Sequence, residues 1–277
     1  MALSATFATQ RLDTAIPLAF GTVEPKARLS LVIEYDGGRY AGSQWQPDVP
    51  TVQSEIEKAL LSLTGESIRI TLAGRTDAGV HAKGQRVAFD TSSTLSERAF
   101  VSGMNHFLPS DIAVKEARLE NAGFDPRRHA CRREYEYFIL NSNTRSPLWN
   151  GRAYRVAGGL DVEAMDLACQ MLLGEHDFAS FASSMENDDR TTVRYMYHAS
   201  VRRDNVLVVV RMVASAFLLH QVRNTVGALV RIGQGKMTLS VFQGIINARE
   251  FGLAGPTAPS YGLYLNRVSY DNIEEGF

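Results

Sequence analysis

Between residues 28 and 119 the hydrophobic period of the chain switches between two and 3.6 in a fixed order, and that order restricts the available folds more than composition does. Residues 28–35 (RLSLVIEY) put Leu29, Leu31, Ile33 and Tyr35 on one face and Arg28, Ser30, Val32 and Glu34 on the other, the period of a strand. Residues 51–63 place Val52, Ile56, Ala59, Leu60 and Leu63 on one helical stripe, and Gly65 follows where a helix would stop. Strands are expected next over 67–72, 85–90 and 111–119, with a helix over 96–107 before the last of them. The order is β-α-β-β-α-β. After a basic connector it returns: a strand at 133–140, a helix at 161–173, a hairpin within 191–213, a helix at 217–233 and a strand at 263–270. One further helix, 240–248, is inserted before that last strand.

Two βαββαβ halves, 28–125 and 126–277, predict an α+β protein of duplicated ferredoxin-like units. Their strands would join into one mixed, mainly antiparallel sheet with helices on one face, leaving the other face free for a large ligand. No residue-level repeat relates the halves, so the expectation rests on element order. Residues 1–27 read as a disordered tail, and Asp13 and Glu24 within it argue against a signal peptide. With 277 residues, 45% hydrophobic and 21% charged, the chain can bury a sizeable core. A net charge of −1 gives no global field for nucleic acid, so any such role needs a local basic patch. Two cysteines, Cys131 and Cys169, form no disulfide framework, as expected of a cytoplasmic protein, and neither sits in a cysteine-nucleophile signature. The six histidines lack zinc-ligand spacing, so no metal is expected, and no apolar run suffices for a membrane span.

Residues 73–82, AGRTDAGVHA, hold one carboxylate, Asp77, between two glycines. Gly74 and Gly79 have the spacing of a phosphate-cradling loop, but Val80 and His81 stand where Lys and Ser/Thr are required, so that reading fails. The glycines are expected instead to shape a turn that presents Asp77, which either caps the turn or serves chemistry. On a wheel of the 217–233 helix, Leu218, Leu219, Val222, Val226, Leu229 and Val230 fill one arc. His220, Asn224, Gly227 and Arg231 lie opposite, and Arg223 stands at the boundary. Arg223 either pairs with a carboxylate, for which Asp77 is a candidate, or snorkels to solvent.

The connector RRHACRR, 127–133, brings Arg127, Arg128, Arg132 and Arg133 together around His129, just before Tyr135 and Tyr137. Arginines that grip phosphate beside aromatics that stack on bases are one reading; a solvated basic loop is the other. Phe178 and Phe181 read as core or as a base platform.

The motifs taken together resemble the tRNA pseudouridine synthase A family. AGRTDAGVHA is accompanied, in order, by YDGGRYAGSQWQ (35–46), TVQSEIEKAL (51–60), NHFLPSDIAV (105–114), REYEYFILN (133–141), LLGEHDFASF (172–181), RTTV (190–193), FLLHQVRNTVG (217–227) and GLYL (262–265). The resemblance implies the pseudouridine synthase fold and isomerisation of uridine at positions 38 to 40 of the tRNA anticodon stem-loop. It implies no cofactor and a homodimer in which one tRNA touches both subunits. It also implies Asp77 as the catalytic aspartate, Tyr135 as the tyrosine against the target base and Arg223 as the partner of Asp77. Leu263 would be an apolar pocket wall, and Arg75 a residue that displaces or holds the flipped nucleotide. Arg132 and Arg133 are then expected to meet RNA phosphates. Two departures stand out: the tryptophan of the first motif is delayed to Trp45, and Ser260-Tyr261 precede GLYL. A catalytically silent RNA-binding protein and a glycoside or nucleoside hydrolase are the competing classes, and the latter normally needs a second carboxylate.

Overall fold

The computed structural model describes residues 27–185 and 191–270. The expected tail lies outside the described residues except for Ala27, which opens β1 (Ala27–Tyr35). Thr51 and Ser54 form a reciprocal capping box for α1 (Val52–Thr64), and Gly65 ends it at φ 74, a left-handed conformation that glycine adopts without strain. Then follow β2 (Thr71–Leu72), β3 (His81–Thr91), α2 (Glu97–Phe107) capped by Ser96, and β4 (Ile112–Glu120). The strand expected over 67–72 shrinks to its last two residues. Side chains of α1 satisfy the backbone instead: Glu57 accepts the Ile70 N–H at 3.1 Å, and Gln53 donates to the Ile70 carbonyl at 3.4 Å.

The second half runs β5 (Arg132–Asn141), β6 (Tyr154–Val156), α3 (Val162–Gln170), β7 (Gly174–Asp177), the hairpin β8 (Val193–Asp204) and β9 (Leu207–Ala214), α4 (Gln221–Gly233), α5 (Leu239–Ala248) and β10 (Leu263–Ser269). Strands β6 and β7 were not anticipated; three and four residues are too few to show a period. All ten strands form one sheet, ordered β4-β1-β3-β10-β5-β9-β8-β7, with β2 on β3 and β6 on β5. Only β10 with β3 and β5 with β6 run parallel, so the sheet is mixed and mainly antiparallel. Strand β10 thus joins the two halves at the middle of the sheet.

One core lies on the helix-bearing side. Leu29, Leu31 and Ile33 of β1 share it with Ile56 and Leu60 of α1 and Phe100 and Met104 of α2. The same cluster continues through Tyr135, Tyr137 and Ile139 of β5 to Val226 and Leu229 of α4. Each large side chain fully buried there contributes about 1.5–3 kcal/mol. The opposite face carries crossed ion pairs: Arg86 with Glu120 at 2.6 Å, Arg211 with Glu134 at 2.8 Å and Lys83 with Glu136 at 2.9 Å.

Candidate active site

The AGRTDAGVHA loop is held on both sides by buried polar groups. Gln85, fully buried on β3, accepts the Gly74 N–H at 3.3 Å and donates to the Gly74 carbonyl at 2.7 Å. Ser43, also fully buried, accepts the Thr76 N–H at 2.8 Å, and its own N–H donates to the Thr76 carbonyl at 3.0 Å. The Thr76 hydroxyl meets the Tyr35 hydroxyl at 2.8 Å, and the Val80 N–H closes the turn on the Asp77 carbonyl at 3.1 Å. Of the two glycines, only Gly79 supplies a special backbone, with φ +79 and Ser260 Oγ 2.8 Å from where a Cβ would stand. Gly74 has ordinary dihedrals; a Cβ there would touch only the Tyr135 hydroxyl, at 4.0 Å.

Both sequence departures touch this loop. Ser43 occupies the place of the delayed tryptophan and spends its polar groups on Thr76. Trp45 is left 46% exposed, with the Arg69 guanidinium 5.2 Å from its ring centre.

Helix α4 begins at Gln221, four residues later than its periodicity predicts. Residues 217–220 form a turn, in which Leu218 N–H donates to Gln221 Oε1 at 2.8 Å and Gln221 N–H returns to the Leu218 carbonyl at 3.1 Å. Nor is the arc opposite the apolar stripe open to solvent. Asn224 is 1% exposed, donates to the Phe181 carbonyl at 2.8 Å and accepts from Thr257 at 2.6 Å. A Cβ on Gly227 would fall 1.8 Å from the Pro256 carbonyl oxygen, so glycine is what lets the 252–258 loop lie on the helix.

That loop aims Arg223. Its Nε donates to the Ala258 carbonyl at 2.9 Å, the Ala258 N–H returns to the Arg223 carbonyl at 3.1 Å, and Nη1 donates to Asp77 Oδ2 at 2.6 Å. The boundary arginine is therefore a partner of Asp77 and does not snorkel. His220 was read only as part of the polar arc, yet its Nε2 lies 3.5 Å from the same Oδ2 and its Nδ1 meets Ser183 Oγ at 2.8 Å. The signal was present: 220 and 223 are three apart, the spacing at which side chains near a helix start share a side.

These groups open on a cleft of about 950 Å³ lined by Asp77, Arg75, Tyr135, Phe217, His220, Arg223 and Leu263. Tyr135 is buried, edge-on to Phe217 with ring centres 5.1 Å apart. Burial pushes its phenol up, and Tyr35 and Asp77 push it the same way, so it is neutral at ordinary pH. Leu263 walls the cleft, and Arg75 stands exposed at its rim. Asp125 also lines the cleft. Burial raises its carboxyl, but the N–H groups of Arg128 and Arg127 outweigh that and hold it below the usual carboxylate range. Because Tyr135 alternates with Tyr137 and Ile139 on the core side of β5, the cleft opens on the helix-bearing face. The face expected to be free for ligand is the other one, and three of its cations are already matched by glutamates.

The structure does not bring Arg132 and Arg133 together. Neighbours on a strand point to opposite faces. Arg133 turns toward the cleft wall, where it donates to the carbonyls of Ala130, Ser215, Ala73 and Arg127 at 2.7–3.4 Å. It ties the connector to the motif loop and has little left for phosphate. Arg132 lies on the opposite face, its guanidinium 4.5 Å from the centre of the Tyr197 ring. Phe178 and Phe181 are core. Among the described residues no three of His, Cys, Asp and Glu gather as a metal site, and no helix is long and apolar enough to cross a membrane.

The cleft brings a paired aspartate and arginine together with a buried tyrosine, and comparison with known proteins gives the family. The model of the tRNA pseudouridine synthase family matches residues 31–127 and 168–271. A tRNA pseudouridine synthase A of Geotalea daltonii is 41% identical over 242 residues, covering 87% of this chain and 99% of the relative. Those of Aeromonas hydrophila and Legionella pneumophila are each 42% identical over 243 residues, covering 88% of this chain and 90% and 92% of theirs. The archaeal box H/ACA sRNP Nop10–Cbf5 complex contains a chain of 12% identity and TM-score 0.34, covering 73% of this chain and 44% of that one, a likeness too slight to carry weight. The chain belongs to the tRNA pseudouridine synthase family and is an enzyme that isomerises uridine to pseudouridine in tRNA.

Proposed function

We propose that the protein modifies positions 38 to 40 of the tRNA anticodon stem-loop with Asp77 as its single catalytic carboxylate. The observation that carries this reading is the 2.6 Å pair of Asp77 with Arg223 at the cleft, beside a neutral Tyr135. Pseudouridylation breaks the N1–C1′ bond, turns the uracil and forms C5–C1′; the proton on C5 is lost to solvent and the freed N1 takes one up, so the product is an isomer of the substrate. No redox change occurs. A carboxylate serves either as nucleophile or as the counter-charge of a cationic sugar, and Arg223 orients Asp77 for it.

A uridine in a stem must leave its stack at a cost of a few kcal/mol, which contacts at the cleft offset. Tyr135 with Phe217 and Leu263 supply the apolar wall for the extruded base, and Arg75 at the rim holds or displaces the nucleotide. Asp125, the second carboxylate, is tied to backbone N–H groups, which disfavours a two-carboxylate hydrolase. A homodimer working in the cytoplasm, with one tRNA bridging two subunits, completes the reading.

Asp77→Asn should release no tritium from tRNA labelled at uridine C5, while tRNA binding stays within about tenfold, or ~1.4 kcal/mol. Turnover retained by that variant sinks the mechanism; free uracil as product would favour the hydrolase.

A further inference from the structure

His220 takes part in none of the roles above, yet its conformation singles it out. It is one of four non-glycine residues among those described with a left-handed backbone, φ 61 and ψ 5, and it occupies the position before α4 where a side chain normally caps the helix. It makes no cap hydrogen bond. A non-glycine residue held in that conformation stores strain, which persists only where the surroundings require it and which collects at functional sites. Ser183 holds the far side of the ring at 2.8 Å, and the Ser183 N–H is anchored to the Leu219 carbonyl at 3.2 Å.

The neighbouring carboxylate selects the tautomer. A bare Nε2 lone pair facing Asp77 at 3.5 Å would repel it, so Nε2 carries a hydrogen toward Oδ2 while Nδ1 shares a hydrogen bond with the Ser183 hydroxyl. That is long for a hydrogen bond, as catalytic contacts often are before substrate tightens them. Arg223 and His220 therefore both lie against one oxygen, Oδ2, at 2.6 and 3.5 Å. Among the described residues no hydrogen bond reaches the other, Oδ1. The terminal torsion of an aspartate is soft and two-fold, so a single donor would leave the carboxylate free to swing. A second donor at the same oxygen limits that swing.

We propose that His220 is a positioning residue for the pseudouridylation step, holding Asp77 by Oδ2 so that Oδ1 is the oxygen presented to the uridine. This rests on the reading of Asp77 as the catalytic carboxylate. Three variants of the full chain test it in steady-state kinetics on tRNA, with Asp77→Asn beside them. His220→Gly relieves the backbone and removes the imidazole; it should melt within a few degrees of the parent while kcat falls about tenfold or more and KM moves less than about threefold. His220→Gln, which carries an N–H donor of similar reach, should recover most of kcat.

Wild-type kcat in His220→Gly overturns the proposal, as does a loss confined to KM or a Gln variant as slow as the Gly variant. If His220→Gly does not fold, His220→Asn, which tolerates the same backbone but is too short to reach Asp77, is judged by the same criteria. Activity in Asp77→Asn would instead remove the underlying reading of the carboxylate, an outcome separate from normal turnover in the His220 variants with Asp77→Asn inactive.

Discussion

Arg223 does two jobs with one guanidinium. Its Nε is bound to the Ala258 carbonyl and its Nη1 to Asp77, so the fork fixes the distance between the 252–258 loop and the motif loop. A lysine has one point of charge and cannot span both. Arg223→Ala leaves a carbonyl and a carboxylate without their donor; at this partial burial the expected cost is about 2 kcal/mol in urea unfolding, with kcat reduced about a hundredfold. Arg223→Lys should regain part of the stability and little of the rate. Equal stability and rate in the alanine variant would mean that the pair contributes nothing. Arg133 teaches the opposite lesson at the same scale: four carbonyl partners make it a fastener, although its sequence surroundings look like a phosphate grip.

At the scale of elements, the contact of α4 with the 252–258 loop is the most exacting. Gly227→Ala would drive a Cβ into a backbone oxygen that cannot move without carrying Ala258, and hence Arg223, with it. A loss of about 1–3 kcal/mol is expected, with a fall in activity larger than an equally destabilising substitution in α2 would cause; differential scanning calorimetry and the tritium assay on both variants check this. Element types were readable wherever a period ran long enough to repeat. Strand β1 and helices α1 and α2 appear within a few residues of their expected bounds, because alternation, Thr51, Ser96 and Gly65 mark them chemically. The start of α4 was not readable: Leu218 and Leu219 continue its apolar arc, and only the left-handed His220 separates turn from helix. Asp77, Tyr135, Arg223 and Leu263 were legible as types in a motif. Their meeting depends on β10 and on a loop whose course no local pattern encodes, and Ser43 and His220 gain their importance only from that meeting.

Across the whole molecule, tyrosines run through the core side of the sheet. Burial pushes the Tyr35 phenol up to about 12, partly offset by Thr76 and Gln85, and pushes those of Tyr135 and Tyr137 up as well. A phenol raised in the folded state favours folding fully below its unfolded value of 10.0, and that contribution is lost as pH rises through the folded value. Stability should therefore hold to about pH 10 and fall between 10 and 12. Unfolding midpoints at either end of that interval, with phenolate absorbance of the native protein, provide the check; native-state ionisation of all tyrosines near pH 10 would contradict it.

The placement of β10 bears on how the enzyme comes into being. The tenth strand in chain order lies at the centre of the sheet, between β3 and β5, and Leu263 on it walls the cleft. On the ribosome, a chain that has emerged only as far as α5 holds Asp77, Tyr135 and Arg223 yet lacks the strand that sets them side by side. Nascent chains should thus remain inert toward tRNA until β10 has emerged and is threaded between β3 and β5, a long-range step that ties competence for catalysis to the arrival of that strand.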